Sequence, residues 1–486
     1  MGYESWSKED LIARLTLLDA EKEPPRVATA SSPPNPRRLW RTFNFSSYPR
    51  RKIALKFCYS GWAYNGLAIQ ADPTPLPTVE GVIFDALAKA RLIDPDAGLE
   101  GCGWERCGRT DRGVSAGGQV ISLWVRSALN NASPAEEPRP PEKSVSSPEE
   151  SADSEDAFPG DFGSLDDMDF PAPTKAPIKS EHSYTLILNR ILPPTIRILA
   201  WSPAAPGFSS RFNCKSRHYK YFFAPDNLDI RLMSEAASLL VGLHDFRNFC
   251  KLDPAKQLTT YLRRIMSAEI SPVAGSASGM HVLDLKGSAF LYHQVRHIMA
   301  ILFLVGSGLE PPSVVTALLN VAPGAEGDAN LPVVDTRPEY QMADALPLML
   351  YECHFGPGDV EWQVEEEDDA DGLSPLGAGL YHQLHSLHAR AEMYAALDHE
   401  FLRVASVHHA PPPARLPLNV TGFVPDGRTA MNVPLGGAEF RRTAKYIPLL
   451  ERNRGEHFEV VNERWRVGKG ARRDERRKAV DDEGDE

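Results

Sequence analysis

The chain has little of what a membrane, secreted or metal-ribbon protein needs. Its longest uninterrupted apolar run, Ile298–Val305, is far short of the roughly 20 residues of a spanning helix, so no membrane segment and no membrane partner are expected. The opening MGYESWSKEDL turns acidic early and lacks a cationic stretch followed by an apolar one, which is not the pattern of a secretory signal or an arginine-rich transit peptide. Residence in the nucleus and cytoplasm is the expectation. The six cysteines never form a CxxC pair. That excludes a zinc ribbon or dithiol redox motif and leaves reduced thiols. Cys102 and Cys107, the nearest pair, have no matching second pair and read as small buried hydrophobes.

A net charge of −12 argues against a polyanionic partner until it is divided along the chain. Residues 131–170 carry −10, residues 359–371 carry −8 and residues 481–486 carry −5, which leaves +11 on the remainder. The acid is concentrated in stretches that read as unfolded, and the foldable remainder is basic enough to bind nucleic acid.

Residues 1–47 read as a short helix, with Ser7 as N-cap, followed by a Pro-rich tether. Residues 48–126 then pattern as strand, helix and two strands: "KIALKFCYSG", an amphipathic "TVEGVIFDALAKARLI" with Val79, Ile83, Leu87 and Ala90 on one face, and strands around "GWERCGRTD" and "GGQVISLWV". After an acidic insert over 127–180, the same order recurs within 181–357. It runs "CKSRHYKYFFA", a helix over 229–241, "RRIMSAEISPV" with "MHVLDLKGSAF", and a helix from "LYHQVRHIMAILFLVGSGL" ended by Gly306 and Gly308. Two copies of strand, helix, strand, strand predict two ferredoxin-like halves sharing one sheet. Residues 358–486 form a C-terminal extension with an acidic linker, a helix over 380–406 and a basic tail.

"CGRTDRGVSAGGQVISL", residues 107–123, places Asp111 between Arg109 and Arg112 with Gly113 beside them. Nearby cations favour an ionised carboxylate, and glycine lets the backbone turn the side chain toward a cleft. Such a turn also commonly serves only its own backbone hydrogen bonds, so the loop alone assigns no chemistry. In "FSSRFNCKSRHYKYFF", residues 208–223, Arg211, Lys215, Arg217 and Lys220 interleave with Phe208, Phe212, Tyr219, Tyr221 and Phe222. Cations and aromatics so mixed suit phosphates and stacked bases. "GSAFLYHQVRHIMAILFLVG" opens an apolar helix with His293, Arg296 and His297, and a guanidinium there needs an anion. The two histidines have i,i+4 ligand spacing, but Gln294 stands where a zinc hydrolase has Glu and no third ligand is evident, so no metal is expected.

"GRTDRGVSA", "F..RF....R.Y.Y" and "FLYHQVRH", in this order, resemble the three diagnostic blocks of the TruA family of tRNA pseudouridine synthases. "KFCYSGWAYNGLAIQ" is similar to the family's opening strand and "YTLILNRILPPTIRILAWSPAAPGFSSRF" to its linker between halves; the likeness covers about residues 48–126 and 181–357. Ser115 stands where bacterial members usually have His. With "GLHDFRNFCK" and "YIPLLER", that departure resembles the eukaryotic branch acting at positions 38 and 39 of the anticodon stem-loop. The resemblance implies the pseudouridine synthase fold of mixed α/β (α+β) class, a largely antiparallel central sheet flanked by helices, with a central basic cleft. It implies a tRNA substrate, no cofactor and a homodimer. It also implies that Asp111 is the nucleophile, that Arg109 holds open the site of the flipped nucleotide, that Arg296 pairs with Asp111, and that Tyr219 stacks on the uracil and helps take the C5 proton. Arg211, Arg217 and His293 are expected to bind substrate. The same fold could instead act on other RNA positions, or bind RNA without modifying it; retained Asp111 and Tyr219 favour the enzyme.

Overall fold

The computed structural model describes residues 43–70, 73–129, 180–276, 279–364, 379–410, 431–443 and 445–472. The expected N-terminal helix, the acidic 131–170 stretch and the end of the basic tail lie outside the described residues. The first half comprises β1 (Arg50–Tyr59), α1 (Val79–Lys89), β2 (Glu105–Arg106), β3 (Ser115–Arg126), α2 (Tyr184–Ile191) and β4 (Ile196–Pro203). The second comprises β5 (Ser216–Phe223), α3 (Ile230–Ser238), β6 (Gly242–Asp245), β7 (Leu262–Pro272), β8 (His281–Gly287), α4 (Gln294–Gly306), α5 (Val314–Leu319) and β9 (Leu348–His354). All nine strands join one sheet in the order β4-β1-β3-β9-β5-β8-β7-β6, with β2 also on β3.

Each half therefore repeats one strand order, its last strand beside its first (β4 by β1, β9 by β5) and its first beside its next-to-last (β1 by β3, β5 by β8), as the repeated pattern predicts. Pairing is antiparallel except where the halves meet, at the parallel joint of β3 with β9. One boundary differs from the sequence reading. α2 and β4 follow the acidic insert and were expected to open the second half, yet β4 pairs with β1 and completes the first. Ferredoxin-like closure needs a last strand against the first, and only that segment supplies it.

Helix α1 starts where the Thr78 hydroxyl accepts the Gly81 amide, and it buries Val79, Ile83, Ala86 and Leu87 against the sheet. Helix α4 differs: Gln294, Val295 and every residue from His297 to Gly306 are buried. A helix apolar on all sides must be covered on all sides. The C-terminal extension provides the cover, because Val433 of the hairpin β10 (Met431–Gly436) and β11 (Glu439–Thr443), together with Tyr446 and Leu449, enters the second-half core. Helix α6 (Leu380–Ser406) spans the expected residues and buries none of them.

Two carboxylates tie the first half together. Glu80 of α1 is fully buried, pairs with the Arg106 guanidinium and accepts the Trp104 indole N–H at 2.9 Å and the Ile69 amide at 3.0 Å. Glu181, at the far end of the acidic insert, accepts Arg51 at 2.7 Å, the Ser127 hydroxyl at 2.7 Å and the Ala128 amide at 2.8 Å. It thus closes the two ends of the insert against β1. Burial works against its charge, but these donors and the His182 amide outweigh it and bring its pKa down to about 2.

Glu80→Ala leaves the Arg106 charge without its partner and is expected to cost about 3–5 kcal/mol in denaturant unfolding. Because the Glu181 pKa is depressed by folding, its contribution is present above the ordinary carboxylate range and is lost as pH falls toward 2. Glu181→Gln is expected to be less stable than wild type at pH 7, with the gap shrinking below pH 4.5, as read by unfolding across that range.

Candidate active site

The loop between β2 and β3 carries Asp111. It folds as a turn in which the Val114 amide donates to the Asp111 carbonyl at 3.1 Å, with Gly113 at φ +85°. The Thr110 hydroxyl lies 2.5 Å from the buried Tyr59 hydroxyl, the Leu67 amide donates to the Thr110 carbonyl at 3.2 Å, and the Gln119 side chain donates to the Gly108 carbonyl at 2.9 Å. Gly66, also at φ +85°, lets the neighbouring segment approach; a Cβ there would stand 3.0 Å from the Thr110 carbonyl oxygen. Braced on both sides, the turn presents an Asp111 side chain that remains 25% exposed.

The second half answers it with the start of α4. His293 caps the helix in the left-handed conformation, φ +61°, and its Nε2 lies 3.2 Å from Asp111 Oδ2. Arg296 Nη1 lies 3.9 Å from the same oxygen, while Arg296 Nε donates to the Ala343 carbonyl at 2.8 Å. The guanidinium is thus held by main chain on one side and offered to the carboxylate on the other. Strained non-glycine backbone of the kind found at His293 persists only where its surroundings enforce it.

Tyr219 on β5 packs edge-on to Phe290, with ring centroids 4.9 Å apart. Burial raises its phenol pKa, helped by the thiols of Cys353 and Cys107 and by Asp111, so it enters the site as a neutral hydroxyl. Arg109 and Arg112 are both exposed, and among the described residues neither pairs with Asp111. The sequence reading let these two arginines support the carboxylate; here His293 and Arg296, distant in sequence, do so.

Arg211 is exposed beside Phe212, its guanidinium 5.2 Å from that ring. Arg217 is committed elsewhere. Its two terminal nitrogens donate to the carbonyls of Cys214, Ser288, Cys107 and Arg211, so it stitches these loops together. His293 precedes the helix, so it does not share a helical face with His297 in the way the i,i+4 spacing implied. His297 is buried against Tyr340, with Arg337 Nη1 3.1 Å from its Nε2; burial and then Arg337 push its pKa down to about 2, and it is neutral.

Two groups of residues escaped sequence reasoning. Tyr292 is exposed, with its ring centroid 3.7 Å from that of His293 and flanked by Lys256 and Lys251 at 5.0 and 5.9 Å. It lies inside the "FLYHQVRH" stretch and could have been found as an aromatic next to a site cation. Tyr59 and Thr110, which brace the turn, carry no signal of their own in the sequence.

A family description reading "tRNA pseudouridine synthase" matches residues 236–356. The chain is 37% identical over 478 residues to the tRNA pseudouridine(38/39) synthase of Saccharomyces cerevisiae, covering 95% of this chain and 91% of that protein. It is 40% identical to the tRNA pseudouridine(38/39) synthase of Homo sapiens over 69% of this chain and 62% of that protein. It is 31% identical to tRNA pseudouridine synthase A of Methanothrix thermoacetophila over 65% of this chain and 86% of that protein. With an aspartate turn braced in one half and met by an arginine and a histidine from the other, and with these likenesses reaching over most of its length, the chain belongs to the tRNA pseudouridine synthase family.

Proposed function

We propose that the protein isomerises uridine to pseudouridine in tRNA, at positions 38 and 39 of the anticodon stem-loop, with Asp111 as the catalytic carboxylate. The observation that carries this reading is the convergence of His293 Nε2 and Arg296 Nη1 on one oxygen of a partly exposed Asp111. The reaction breaks the N1–C1′ bond, turns the uracil and joins C5 to C1′, with loss of the C5 proton and gain of one at N1. It needs no redox partner and no energy input. Asp111 meets C1′ as the base departs, either as a covalent nucleophile or by assisting departure.

The target base must first leave its stack, and a cationic, aromatic rim suits its reception. Arg109 and Arg112, exposed beside Asp111, with Lys251 and Lys256 around Tyr292, supply cations for the phosphates of a splayed nucleotide. Tyr219 offers its ring for stacking on the uracil and a hydroxyl kept neutral by burial. A phenol kept protonated by burial passes the C5 proton on only by handing over its own, so it serves as a relay and not as a standing base.

A homodimer is supported by α6. Leu380, Leu384, Leu387, Ala391, Tyr394, Leu397, Phe401 and Val404 recur at spacings of three and four along a helix that buries nothing. A stripe of that period fits a second helix of the same kind. The basic stretch RWRVGKGARRDERRKA supports entry to the nucleus as well as residence in the cytoplasm.

Asp111→Ala is expected to hold tRNA within a few-fold of wild type while tritium release from C5-labelled uridine falls below about one-thousandth. Sequencing after carbodiimide treatment of tRNA incubated with the purified chain tests the positions; marks confined to uridines outside 38 and 39 would refute that assignment. Leu387→Asp with Leu397→Asp is expected to convert a dimer to a monomer in light scattering, leaving the unfolding midpoint of the catalytic halves in place.

A further inference from the structure

We propose that Cys107, Cys214 and Cys353 form a buried three-thiolate site for a thiophilic d10 cation, zinc(II) or copper(I), which fastens the Asp111 loop to the second half of the molecule. Their sulfurs all lie within 4.8 Å of one another. Metal–sulfur bonds of about 2.3 Å set sulfurs roughly 3.8–4.0 Å apart, so closure onto a cation takes movement of at most about 1 Å. The three come from separate places: Cys107 four residues before Asp111, Cys214 in the loop before β5, and Cys353 on β9. Sequence spacing offered only Cys102 as a neighbour for Cys107; the fold supplies the other two.

All three are nearly inaccessible, at 3%, 7% and 6% exposure. Cysteine so placed is usually a small hydrophobe. A cation held by the same loops points further. Arg217 donates to the carbonyls of Cys107 and Cys214 and faces Cys353 in the β5–β9 register. The Cys214 thiol also donates to the Ser216 carbonyl at 3.2 Å. Metal binding would deprotonate all three thiols, each releasing its proton to solvent as its sulfur–metal bond forms.

Among the described residues no other histidine, cysteine or carboxylate joins the group. Three thiolates alone suit copper(I), whereas zinc(II) would add a water and, with Arg217, bring the net charge of the site to zero. The cation is a staple and takes no part in the isomerisation.

The full chain, purified without chelator, is expected to carry about one zinc or copper per chain by elemental mass spectrometry, and the metal found decides between them. Cys214→Ser and Cys353→Ser are expected to carry less than a tenth of that, with Cys102→Ser unchanged. Should those variants fail to fold, the wild-type chain decides alone: cadmium added to chelator-stripped protein is expected to raise a thiolate charge-transfer band at one equivalent. Metal-free protein that shows no such band, or a disulfide among the three in the native chain, overturns the site. Neither readout depends on turnover, so loss of the tRNA activity leaves it standing.

Discussion

Asp111 and the helix start that faces it belong to different halves, so the site lasts only as long as β3 and β9 stay joined. That joint is short. Two residue pairs, Ser115 with Met349 and Ala116 with Leu350, make the parallel contact. The Gly117–Gly118 pair lets the strands close, since a Cβ on Gly118 would stand 2.8 Å from the Tyr351 carbonyl oxygen. Further along β3 the same edge is taken by β2, which carries the chain into the Asp111 turn. The seam is reinforced from both faces: Lys56 pairs with Glu352 at 3.1 Å, and Tyr219 packs against the cores of both halves. Arg217 adds a third tie, gathering the carbonyls of Cys107, Arg211, Cys214 and Ser288 around one guanidinium.

The electrostatics follow from that joint. A carboxylate beside flexible surface cations would have to organise them at each encounter, whereas one beside a guanidinium already fixed to main chain meets a field set in advance. Arg296 is the fixed kind, bound through Nε to Ala343. Arg109 and Arg112 are exposed, and among the described residues neither pairs with Asp111. The arginine on the helix thus holds the acid, while the two in the motif are turned to solvent.

Much of this was legible in the chain. Period-two and helical patterning located β1, α1, β5, α4 and the helix over 380–406, and the repeated order disclosed two like halves. The three motif stretches contain Asp111, Tyr219, His293 and Arg296, the residues that meet at the seam. What stayed hidden depends on partners far apart in sequence. No local pattern tells that the Arg217 donors are taken by carbonyls, that Cys107 meets Cys214 and Cys353, or that His293 leaves the helix before its face begins. The assignment of β4 to the first half was hidden for the same reason: pairing across a long insert leaves no mark on periodicity.

The apolar character of α4 carries a consequence that reaches the active site from the far end of the chain. Because that helix is buried all round, its outer face needs a cover, and the cover is the β10–β11 hairpin. Leu435 of that hairpin accepts the Asp344 amide at 2.7 Å, and the Asp344 carbonyl accepts the Tyr221 hydroxyl at 3.0 Å. Next in the chain stands Ala343, whose carbonyl takes Arg296 Nε and whose amide returns a bond to the Arg296 carbonyl at 3.2 Å. The guanidinium facing Asp111 is therefore oriented by a loop that the C-terminal extension holds down. An extension that looked from composition like an appendage is the back wall of helix α4, and the guanidinium that meets Asp111 is only as well placed as that wall.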